Sequence, residues 1–128
     1  MVSVKKLVSL LELHHPKLTK NCIAALKNLI FLAGTDVKML IMSELGFDNI
    51  FDLITSNNTD IRVEALMVVR NFAIGELGEI EFFVDHNVNR LLPVLIENLS
   101  SSNTLISKQS LYLLANIAAS GNHDVQVG

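Results

Sequence analysis

Aliphatic runs alternate with short polar turns along this chain, and within the runs the apolar positions recur at three and four residues rather than at two. That period is helical, because 3.6 residues per turn brings positions i, i+3, i+4 and i+7 onto one face. Three runs share a further feature, a single Asn inside an otherwise aliphatic helix. They are Ala25-Leu26-Lys27-Asn28-Leu29, Val68-Val69-Arg70-Asn71-Phe72 and Leu113-Leu114-Ala115-Asn116-Ile117. The asparagines lie 43 and 45 residues apart. A fixed period of roughly 40 to 47 residues marks stacked helical repeats.

Neighbouring columns keep the same register. Six residues before each Asn stands a small residue (Cys22, Ala65, Ser110), and ten before it a branched aliphatic (Leu18, Ile61, Ile106). These offsets trace one helical face, with the small residue placed for close approach of a neighbouring helix. Upstream, a second helix ends at Leu11, Ile54 and Leu99. The turns between the two helices, His14-His15-Pro16, Ser56-Asn57-Asn58 and Ser101-Ser102-Asn103, are rich in residues that cap a helix N-terminus, and Pro16 suits a first helical turn. Breaks are expected at Gly34, Gly75 and Gly121, followed by short helical runs over Val37 to Glu44 and about Gly78 to Asp85.

The pattern therefore predicts an all-α fold in which one short and two longer helices repeat about three times. It forms a single domain over residues 1–128, with units of about 1–46, 47–87 and 88–128. Because the first unit starts at its second helix, both ends of the stack read as uncapped, around Leu7, Leu10 and Leu11 and around Leu113, Leu114 and Ile117. Such ends are expected to self-associate or to continue into a longer solenoid, since each repeat buries its apolar faces only against neighbours.

Composition narrows the chemistry. Half of the 128 residues are hydrophobic but only 5% are aromatic, with no Trp, which suits helix-on-helix packing and not a base-stacking platform. A net charge of -3 offers no basic footprint, so neither nucleic acid nor an anionic membrane is expected as a partner. One cysteine, Cys22, excludes an intrachain disulfide and points to a cytoplasmic or nuclear setting. In the small-residue column it reads as an inert packing thiol.

His14 and His15 are adjacent and diverge by about 100° on a helix, and His86 and His123 stand alone, so no metal site is expected. No phosphate loop, paired-carboxylate motif or nucleophile elbow occurs, so the chain is read as no enzyme, with no catalytic residues and no cofactor. Asn98 stands where the other repeats carry Leu10 and Leu53, so either its helix shifts register or its amide finds a buried partner. The acidic group Glu76, Glu79, Glu81 and Asp85 is read as a solvated face, with a docking patch for a basic partner as the alternative.

At Leu7 to Leu11, at Ala25 to Leu29 and at their weaker copies the chain resembles armadillo repeats. The resemblance implies a right-handed armadillo-type α-solenoid whose third helices line a concave groove that binds extended peptides or partner tails. The run from Pro16 through Asn28, the segment Ser43 to Leu53, Arg70-Asn71 and Leu114 to Ala118 are similar to the C-terminal repeats of the armadillo scaffold subunit of the GID/CTLH ubiquitin ligase, the armadillo repeat-containing protein 8 family. That likeness implies a non-catalytic scaffold that docks a substrate-receptor subunit in its groove. The alternative is an armadillo adaptor for transport or adhesion that recognises a linear peptide.

On each third helix, the positions eight and four before the Asn share its face: Lys20, Ala24, Asn28; Val63, Met67, Asn71; Lys108, Tyr112, Asn116. One reading makes these a groove floor. Each amide offers a donor and an acceptor to an extended peptide, Met67 and Tyr112 add apolar contact, and Lys20 and Lys108 meet an acidic side chain or a C-terminal carboxylate. The other reading has each Asn bond a carbonyl of an adjacent repeat and stiffen the stack. Nuclear-import adaptors of this family pair the Asn with a Trp four residues earlier; Ala24, Met67 and Tyr112 stand there instead, so that clamp is absent.

Overall fold

The computed structural model describes residues 4–73 and 77–119, with side chains described except at residues 35, 73, 77–86, 88 and 119. Seven α-helices occur among the described residues: α1 (Val4–Leu10), α2 (Pro16–Leu32), α3 (Thr35–Leu45), α4 (Phe47–Ile54), α5 (Thr59–Ala73), α6 (Leu77–Asn98) and α7 (Thr104–Ala119). A 3₁₀ turn, Leu11–Leu13, extends α1. The Asn-bearing helices α2, α5 and α7 form a row in which α5 lies between the other two and packs on both.

Local chemistry accounts for the helix starts. His15 caps α2, its Nδ1 accepting from the Leu18 N–H at 3.3 Å, and Pro16 follows in the first turn. Asn58 accepts from the Ile61 N–H at 3.2 Å, and Asn103 accepts from Leu105 and Ile106 at 2.9 and 3.1 Å. In both of these turns a serine hydroxyl two residues earlier, Ser56 or Ser101, receives the Asn N–H at 3.1 Å. Capping side chains satisfy backbone donors that a helix N-terminus leaves orphaned.

Burial follows position in the row. On α2 the buried residues Thr19, Cys22, Ile23, Leu26 and Ile30 form one stripe at helical spacing. On α5 burial extends from Ile61 to Phe72 and around most of the helix, because partners flank it on two sides. Ala65 and Ser110 are buried like Cys22, as the small-residue column requires.

Two features differ from the pattern in the sequence. The short run expected at Gly78 to Asp85 and the helix ending near Leu99 are not separate; α6 is continuous from Leu77 to Asn98. One period earlier α3 and α4 are separated at Gly46, whose φ of 78° and ψ of 145° suit glycine alone. The corresponding stretch of α6 holds no glycine, so no corner forms. Pro93 removes only one backbone bond, to the Asn89 carbonyl.

The second difference is at the last helix. Leu113 and Ile117 are buried and Leu114 is half-buried, while Ile96, Leu99, Leu105 and Leu111 stand in solvent. The Asn-flanking aliphatics are thus covered, and the apolar surface lies at other positions of α6, α7 and the turn between them. Leu7, Leu10 and Leu11 are each half-buried. The expected breaks at Gly75 and Gly121, along with Glu76 and His123, lie outside the described residues, as do the side chains of Glu79, Glu81, Asp85 and His86.

Candidate functional site

The third-helix row carries the residues singled out from the sequence. Lys20, Asn28, Lys108 and Tyr112 are exposed, Ala24, Met67, Asn71 and Asn116 are half-buried, and Val63 is buried in the core. The three asparagines are not equivalent. Asn71 donates from Nδ2 to the Lys27 carbonyl at 3.3 Å and so ties α5 to the preceding repeat. The Asn28 and Asn116 amides have no protein partner among the described residues, which leaves their donors and acceptors open to a ligand.

Polar rungs cross the row at a register that the Asn-based offsets do not pick out. Lys27, one before Asn28, donates to Glu64, seven before Asn71, at 2.8 Å, with both side chains largely buried. Arg70, one before Asn71, donates to Gln109, seven before Asn116, at 2.8 Å. The signal was present as a basic residue and a Glu or Gln recurring at those two offsets. It becomes legible only when helices about 40 residues apart in sequence are laid side by side.

These rungs divide the face electrostatically. Between α2 and α5 the charges cancel, Lys27 with Glu64 and Lys20 with Asp60 at 3.7 Å. Between α5 and α7 they do not. Among the described residues Arg70 hydrogen-bonds to the neutral Gln109 and its buried Nε has no partner, and α7 contains no acidic residue. Arg70 and Lys108 both lie over the Tyr112 ring, at 5.9 and 5.7 Å from its centroid. Tyr112 is 43% exposed, so this half presents two cations about an accessible aromatic ring.

Among the described residues no three His, Cys, Asp or Glu side chains converge, and no helix is long and apolar enough to cross a membrane. Burial pushes the Cys22 thiol above its ordinary pKa, because the low-dielectric surroundings disfavour the thiolate. Native Cys22 is therefore expected to be alkylated on the order of a hundredfold more slowly than the urea-unfolded protein; equal rates would place the thiol at the surface. Since the folded state holds the neutral thiol, its contribution to stability is complete below the unfolded pKa and is lost as pH rises through that value to the folded one.

No family model matches the chain. Over 91% of its length it is similar to GID complex subunit 5 of Schizosaccharomyces pombe, at 24% identity over 118 residues, and it spans 15% of that relative's length. An engineered protein of known structure superposes with a TM-score of 0.80 at 23% identity, covering 98% of this chain and 50% of that one. A designed armadillo repeat protein superposes with a TM-score of 0.75 at 19% identity, covering 89% and 46%. The chain has the armadillo-repeat fold. In this armadillo solenoid α2, α5 and α7 are the Asn-bearing helices expected from the sequence as third helices. The face that carries Asn28, Asn71 and Asn116 is the third-helix face.

Proposed function

We propose that this armadillo segment is a non-catalytic protein-interaction scaffold that holds an extended partner segment along its third-helix face, within a GID/CTLH-type ubiquitin ligase. The observation that carries the reading is the uncancelled Arg70–Tyr112–Lys108 group beside two asparagine amides without protein partners. Amides read main-chain groups without demanding a particular side chain, and a cationic aromatic subsite suits a carboxylate, either of an acidic residue or of a peptide's C-terminus. The ligase assignment is supported by the similarity to the yeast GID complex subunit.

A displayed library of extended peptides panned against the protein tests the groove. Enrichment of acidic or C-terminal carboxylates near Tyr112 is expected, and Tyr112→Ala should weaken the selected peptides about tenfold, the value of one aromatic contact of roughly 1–2 kcal/mol. Unchanged affinity in Tyr112→Ala would remove this face from the reading, and selection of basic peptides would favour the transport or adhesion adaptor. Purification of the protein from cells should bring ubiquitin-ligase subunits with it. Recovery without them would end the ligase assignment and leave the groove reading standing.

A further inference from the structure

A second surface lies away from the third-helix face. A cavity of about 460 Å³ opens between α3, α4, α5 and α6, walled by Met39, Leu40, Met42, Phe47, Ile50 and Phe72. Asp36, Ser43 and Asn87 complete its lining. This is the size and mixture found where proteins seat a ligand or an anchoring side chain, and the two methionines can adapt to an incoming shape. The apolar surface continues outward along α3, where Val37 and Leu40 are 43% and 49% exposed. With Glu44 they occupy positions i, i+3 and i+7 of one helical stripe.

The charge on this stripe has one sign. Asp36 and Glu44 flank the exposed apolar pair, and neither makes an ion pair among the described residues. Lys38, the basic residue of α3, is buried. Arg90 lies over the Phe47 and Phe51 rings but is committed to Asp48 at 2.6 Å. Glu44 also sits in the last turn of α3, where the helix dipole disfavours an anion, so nothing within the helix accounts for its charge.

We propose that this cavity and stripe dock an amphipathic helix of a partner protein, one that seats a bulky apolar side chain against Met39 and Phe47 and sets lysines or arginines against Asp36 and Glu44. The helix-in-groove mode supplies apolar anchors at i, i+3 or i+4 and i+7, which matches the spacing of the exposed stripe. Opposite charges on the rim then fix orientation and exclude acidic competitors.

The test titrates the isotope-labelled protein with a helical peptide of leucines on one face and lysines on the other, and with its counterpart in which glutamate replaces every lysine. Amide shifts should saturate on α3 and α4 with the lysine peptide and stay unmoved with the glutamate peptide. Leu40→Arg and Glu44→Lys should each weaken binding about tenfold or more, while Tyr112→Ala leaves it unchanged. Leu40 is exposed and Glu44 is half-buried without an ion pair among the described residues, so helical circular dichroism should be retained; if Leu40→Arg loses it, Glu44→Lys alone decides. Equal binding of the two peptides, shifts confined to the third-helix row, or α3 shifts on concentrating the protein without peptide, which would mark a second copy as the occupant, each overturn the proposal.

Discussion

Replacing Leu66 by alanine is expected to destabilise the protein by about 2–5 kcal/mol, the cost of deleting a fully buried leucine and leaving a cavity. Leu66 is wholly buried near the middle of α5, the helix between α2 and α7 in the row. Ile23, Leu26, Ile54 and Leu113 belong to the same core and are themselves fully or nearly fully buried, and a core so packed collapses little into a gap. Small domains are stable by roughly 5–15 kcal/mol, so the loss is a large share of the total. Urea unfolding followed by circular dichroism should show a lowered midpoint with an unchanged slope. A loss below about 1 kcal/mol would mean that α5 is not the centre of the core.

Replacing Asn98 by leucine is expected to stabilise the protein by about 1–3 kcal/mol, the cost of an unsatisfied buried amide. Asn98 is 5% exposed and its Nδ2 has no hydrogen-bond partner among the described residues. The other repeats carry Leu10 and Leu53 at this position, so leucine already suits the repeat. The buried partner that the sequence called for is not found at Nδ2, which is enclosed without a hydrogen bond from the described residues. A higher urea midpoint is the expected result, and a lower one would show that Asn98 makes a bond that leucine loses.

Much of the fold was legible because its determinants act within a turn or two of helix. The period of apolar positions marked α2, α5 and α7, and the turns with Asn58 and Asn103 announced their starts, since an Asn side chain reaches a backbone donor two or three residues away. Gly34, just beyond α2, marked that helix's end as expected. The same reasoning failed at α6, where the repeat pattern implied a break but no residue of the Gly46 kind supplied one. A period states where a corner belongs in the average repeat, whereas the backbone bends only where a residue allows it.

The candidate face was legible in its axis and not in its chemistry. Offsets from each Asn placed Lys108, Tyr112 and Asn116 along one helix, but they placed Val63 on the same footing although it packs into the core. They also treated three asparagines alike, of which Asn71 alone reaches a carbonyl of the adjacent helix. The division into a neutral half and a cationic half depends on Lys27 meeting Glu64 while Arg70 meets Gln109.

By itself the sequence determined the Asn-bearing helices, their repeat of 43 to 45 residues, the caps and the small-residue column, because each is set by periodicity and by contacts within a few residues. Tertiary structure alone decided which charges cancel, which asparagine is already bonded, where the apolar surface remains and what surrounds Asn98. Those outcomes depend on where helices distant in the sequence lie against one another, and a pattern that treats each repeat as equivalent carries no information about how one repeat differs from the next.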